Sequence, residues 1–426
     1  MTSDPLPVAR PVSNARDWRS VLQAVFSLLA AALTIGQGII TIFLGVFDTP
    51  MPGFADFDPG MRVTLGVVST VLGLLLIPSG LSAIFRLKGK PAPRWLAFGI
   101  NPKRGLFIIA MILLPVVIIL GWLVSRSEML STFLLPIAGV LGVCIPVLCL
   151  VSFGQHGLAG GSPQRKWGLL GFSFTVTTAL IVLVEVLAIL AGLIVAIIWL
   201  SFNVEMYDLV MDIQNRLSQA GGDVDAIVGV LLPYLRKPAV IFWILIAISV
   251  ITPLIEEVLK TLGVWLFVKR KLSPTEGYVA GMICGAGFAL IEGLFNLANA
   301  ATPGDWVGLV IGRAGGSLLH VFTGGLIGWG LAETWRSGKF IKYLGAFLGA
   351  FIIHGLWNAL ALSAAFLPMI AFPDLSLTAG LSLLFYLPTI LLGTAVLVIF
   401  ILFTLRLKGR YGISNAVELS TVETGN

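Results

Sequence analysis

Eight residues in the second half of this 426-residue chain have the types and spacing to do chemistry together. Glu256 and Glu257 are adjacent, with Lys260 one turn on. Glu292 follows, then Arg313 and His320 two turns apart, then His354 and Asn358. Helical spacing puts Glu256 with Lys260, and His354 with Asn358, on single faces. A carboxylate in apolar surroundings can deprotonate a water and later protonate a leaving amine, which is the role expected of Glu256 or Glu257. Glu292 and His320 would position that water, directly or through a metal. Zinc in a catalytic site takes three protein ligands and keeps a position for water. Glu292, His320 and His354 could supply that set from three helices, although no H-E-x-x-H helix is present.

The elements that must hold these residues are membrane helices. The chain is 57% hydrophobic and 11% charged, far from the roughly 25% charged of a soluble domain. Its apolar runs reach the length of about 20 residues that spans hydrocarbon. The runs predict ten spans at 21–46, 63–85, 105–124, 132–153, 169–200, 239–268, 277–298, 306–335, 343–367 and 377–405, an all-α polytopic bundle. Spans six to nine carry all eight residues, whereas the first five hold Glu185 as their single mid-span charge. A mid-bilayer charge costs on the order of 2.5 to 3.5 kcal/mol and so faces a protein interior. Counted from the basic ends of their helices at 1.5 Å per residue, Glu256, Glu292, His320 and His354 all fall about 18 to 24 Å deep. Pro253 is able to break the sixth helix beside them.

Cations set the topology, because Lys and Arg concentrate on the cytoplasmic side. With both termini cytoplasmic, 20 of the 27 Lys and Arg residues lie inside. The acids Asp48, Asp56, Asp58, Asp223, Asp305 and Asp374 then lie outside. The net charge of +6 thus follows from topology and calls for no nucleic-acid partner; the basic loops face anionic lipid. Cys144, Cys149 and Cys284 all fall in spans and suggest packing, not disulfides. The polar first 18 residues show no cleavable signal pattern. Four regions are expected: an N-terminal membrane region 1–200, an extracytoplasmic amphipathic segment 201–238, a catalytic core 239–367, and a last span with a basic tail 368–426.

Four motifs stand in order: Pro253-Leu-Ile-Glu256-Glu257-Val-Leu-Lys260, Gly287-Phe288-Ala-Leu-Ile-Glu292, Arg313 with His320, Thr323 and Gly324, and His354-Gly-Leu-Trp-Asn358. In these the chain resembles the PrsW-type intramembrane endopeptidases and, more distantly, the CPBP group of CAAX-processing and bacteriocin-processing membrane proteases. The resemblance covers about a quarter of the chain, with spans one to five and the last outside it. It implies an intramembrane endopeptidase of a bacterial plasma membrane, of metallo or glutamate type, acting on membrane-anchored protein or peptide substrates. By analogy with the CPBP group, His354 and Asn358 would hold the developing oxyanion. One departure is visible: Gly293 follows Glu292 where an asparagine is usual, with Asn296 one turn on as a substitute.

Blander roles stand beside these. Lys260 could simply neutralise Glu256, and Arg313 could snorkel outward or pair with Asp305. Glu185 and His156 read as structural. Buried Glu and His chains also serve as proton relays, so a proton-coupled transporter or channel is the alternative from another class, although the chain shows no repeated half. A catalytically inactive scaffold or immunity-type protein is a third.

Overall fold

In lipid every backbone polar group must be satisfied within the chain, and here helices do this throughout. The computed structural model describes residues 17–49, 58–202, 204–221, 224–270, 272–299, 306–371 and 379–411. These contain no strand. We number the helices α1 (Trp18–Val46), α2 (Pro59–Leu87), α3 (Gly105–Val124), α4 (Glu128–Gln155) and α5 (Pro163–Trp199). Two surface helices follow, α6 (Val204–Ala220) and α7 (Val224–Leu235). The remaining spans are α8 (Pro238–Trp265), α9 (Pro274–Asn296), α10 (Trp306–Ser337), α11 (Ile341–Ala371) and α12 (Ala379–Tyr411). Among the described residues ten helices are thus long and apolar enough to cross a membrane, as the apolar runs predict.

Starts and stops follow local chemistry. Asp17 and Asp58 cap α1 and α2, and Ser273 with Glu276 forms a capping box on α9, with Pro274 at its first position. The amphipathic segment, expected as one helix, is two, separated after Gly221, whose φ of +59° ends α6 in the left-handed conformation that glycine tolerates. Asp56, Asp223, Asp305, Asp374, Arg10, Arg16 and Lys271 lie outside the described residues.

Helix α9 is the axle. Its most apolar stretch is 83% buried, against 17% for those of α1, α3 and α11. It is enclosed by α2, α4, the start of α5, α10 and the short end of α8. Its closest neighbour is α10: a Cβ on Gly281 would strike the Gly324 carbonyl, and one on Gly285 the His320 carbonyl. Only glycine permits such backbone contact, which is how small residues drive association in membranes. Several basic segments meet at one end of the bundle. Arg86 pairs with Asp17 at 2.9 Å, Arg165 with Glu276 at 2.7 Å, and Lys408 donates to the Phe153 carbonyl at 2.9 Å.

Pro253 is able to break a helix but does not break α8. The helix widens into a π-turn at Ala247–Ile251 and runs on through Thr252–Lys260. A proline lacks the N–H that would bond four residues back, here to Ser249, and a π-turn is one way for a helix to absorb that mismatch.

Candidate active site

Helices α8, α9, α10 and α11 converge on one buried cluster, and each of its acids meets a different set of partners. Glu257 has no exposed surface. Its Oε1 accepts from the ammonium of Lys260, which is itself wholly buried and also donates to Thr323 at 2.5 Å. The same oxygen lies 2.7 Å from Nδ1 of His354. Lys260 therefore serves Glu257, three residues away, and not Glu256 as expected.

Glu292, on α9, is the most open of the three acids, its side chain 31% exposed. One oxygen pairs with Arg313 at 2.7 Å and the other lies 2.8 Å from Nε2 of His320. Arg313 thus turns inward to an acid on the adjacent helix instead of snorkelling; Asp305, its other expected partner, is outside the described residues. The two histidine rings meet edge to face with centroids 5.0 Å apart, and Phe288 packs on His320 at the same distance.

Glu256 differs. It is buried, its Oε2 has no hydrogen-bond partner, and its nearest ionisable neighbour is Nε2 of His354 at 3.6 Å. Nδ1 of His320 and Oε2 of Glu257 are likewise buried and unpartnered. Three acids meet two cations: Lys260 answers Glu257 and Arg313 answers Glu292, leaving Glu256 uncompensated. A buried charge without a partner is costly. Glu256, His320 and His354 each offer one ligand atom, all within 4.8 Å of one another. The grouping therefore differs from the expected Glu292, His320 and His354, because Glu292 stands behind His320 and is held by Arg313. The donor set, two imidazoles and a carboxylate, suits zinc, and each imidazole keeps its other nitrogen on a carboxylate, as metal-bound histidines usually do. These residues fit a divalent metal.

The PrsW family intramembrane metalloprotease model matches residues 169–393, more than half of the chain and a range that takes in all four motif helices. The chain belongs to the PrsW family. No curated protein and no solved structure matches it. It is therefore an integral membrane protein and an intramembrane protease, which leaves the transporter and scaffold alternatives without support. The PrsW match also begins at the fifth span and runs into the last, so it is wider than the four motif helices. Packing agrees, since the second half of α5, which carries the half-buried Glu185, lies against Thr252–Lys260.

Asn358 is the one expected member that lies apart. It is half-buried, and its Nδ2 donates to the Ile248 carbonyl of the π-turn at 2.9 Å. Gly355 packs directly over the Ser249 carbonyl of the same turn, too close for a Cβ. Asn296 donates to the backbone carbonyl of Glu292 at 2.8 Å. Gly293 lies against Val143 of α4, where a Cβ would fall 2.9 Å or less from a methyl, so the departure from asparagine has a packing reason. His156 lies just past α4, held below the ordinary imidazole range by partial burial, Lys408 and Lys103, and takes no part in the cluster. Sequence reasoning singled out no role for Thr323, which is buried and receives Lys260; its place one turn after His320 was the available signal.

Proposed function

We propose that the protein hydrolyses peptide bonds of membrane-anchored proteins within or beside the bilayer, with Glu256, His320 and His354 holding a zinc ion. The observation that carries this is that Glu256, His320 and His354 each offer a ligand atom within 4.8 Å of the others, while Oε2 of Glu256 and Nδ1 of His320 are buried and unpartnered. When bound, the metal would supply Lewis acidity to the scissile carbonyl and to a water.

The chain's own groups do the rest. Glu257 fixes the ring of His354 through Nδ1, so that Nε2 faces inward, and Lys260 with Thr323 holds Glu257 in place. Glu292 does the same for His320 through Nε2. Glu257 is sealed off from any entry path and its Oε1 is held by both Lys260 and His354, which argues against its serving as the base. To Glu292, the most exposed of the three acids, we assign the proton taken from water and returned to the leaving amine, a role in which it must give up one of its contacts with Arg313 and His320. Arg313 keeps Glu292 turned toward the site. Asn358 acts through the π-turn, as a positioning group for α8, and not as a donor to the oxyanion.

Residues 239–367 form the catalytic core in this reading, with both termini cytoplasmic and a bacterial plasma membrane as the setting. Reconstitution with a library of single-span substrates tests it. Wild type should cleave, Glu256→Gln and Glu292→Gln should each lose on the order of 10²-fold or more, and chelation should stop turnover until zinc is restored. Full activity in excess chelator, with well under one metal per chain, would leave Glu256 to activate water unaided.

A further inference from the structure

At the basic end of the bundle, away from the cluster, the ends of α10, α11 and α12 enclose a cavity of about 260 Å³. Its walls are of two kinds. Trp329, Phe403 and Leu407 line the inner part, with Trp329 and Phe403 edge to face at 5.4 Å. Lys342, Arg406 and Arg410 line the rim with Tyr411 and a single acid, Glu333. The rim therefore carries a net charge of +2, three cations against one acid. None of the three cations forms an ion pair with a described residue, whereas Arg86 and Arg165 at the same end each hold an acid.

We propose that this cavity binds the headgroup of an anionic glycerophospholipid. Three arguments favour a lipid over a soluble anion. The cavity opens where helix ends cross from apolar to basic sequence, the level at which a bilayer's phosphates lie. Trp329 and Tyr411 are the aromatic types that settle at that level. An apolar floor beneath a cationic rim matches a phosphodiester continuous with acyl chains, while a free phosphate would gain nothing from Phe403 and Leu407. The bound lipid would tie α11, which carries His354, to α10, which carries His320, from the end opposite the surface helices.

Native mass spectrometry of the full-length protein in detergent tests this, with phosphatidylglycerol and phosphatidylcholine titrated separately. Wild type should retain one phosphatidylglycerol in preference to phosphatidylcholine, and inorganic phosphate at millimolar concentration should not displace it. Each of Lys342→Gln, Arg406→Gln and Arg410→Gln should weaken retention about fivefold, while Lys88→Gln, on another basic loop, should leave it unchanged. Melting curves in detergent confirm that each variant is folded. Equal retention of the two lipids, displacement by phosphate, or the same loss from Lys88→Gln as from the rim variants would overturn the proposal.

Discussion

Neighbouring glutamates on a helix point about 100° apart, and that rotation gives Glu256 and Glu257 different work. Glu257 turns to Lys260, Thr323 and His354; Glu256 turns to the gap between the two imidazoles. Their variants should therefore separate. Glu256→Gln is expected to lose bound metal and cleavage together. Glu257→Gln should still bind metal but about 10 to 100-fold more weakly, as expected when a carboxylate behind a ligating histidine is removed. Glu292→Gln, which removes the carboxylate behind His320, should weaken metal to a similar extent but, unlike Glu257→Gln, lose cleavage even when zinc is saturating. Elemental analysis beside a cleavage assay reads all three, and full metal content in Glu256→Gln would remove it from the ligand set. The wholly buried Lys260 gives a stability prediction. Lys260→Met strands Glu257 and should cost about 3 to 5 kcal/mol, lowering the melting transition and abundance. Adding Glu257→Gln should recover much of that loss, since the stranded charge goes with it.

At the scale of elements, two devices aim these side chains. The first is the glycine seam of α9 and α10, where Gly285 lies on the backbone of His320 itself. Gly285→Leu should force the helices apart, with a destabilisation of about 1 to 3 kcal/mol and a loss of activity larger than that figure explains, because His320 moves away from Glu292. Thermal melting and the cleavage rate of the folded fraction would separate the two effects. The second device is the π-turn of α8, held by Asn358 and roofed by Gly355. Asn358→Ala removes one hydrogen bond, worth about 1 kcal/mol, and is expected to slow turnover several-fold while leaving metal content intact. A loss as deep as that of Glu292→Gln would instead return Asn358 to the oxyanion.

For the whole molecule, the uneven spread of cations makes orientation testable. Reporter fusions after Lys271 and after Arg410 should read as cytoplasmic and one near Asp223 as the opposite side; an outer signal after Lys271 would refute the expected orientation. Ten spans, the four motif helices and the seven residues that meet in the buried cluster could be read from the sequence. Span length is a property of local apolar runs, and a charge in hydrocarbon stands out against its neighbours whatever the fold. Partnership could not be read in that way. Which acid answers Lys260, whether Arg313 turns in or out, and whether Glu256 or Glu292 joins the two histidines depend on helix rotation and on a seam closed by glycines far apart in the chain. The turn at Pro253 shows the same division. The proline announces a lost hydrogen bond, but whether the helix breaks or widens is decided by what packs against it, here Asn358 and Gly355 more than a hundred residues later. Residue types and their depth are thus carried by the sequence alone; pairing across helices is set by tertiary packing, because the distances that decide it are a few ångströms and belong to no single segment.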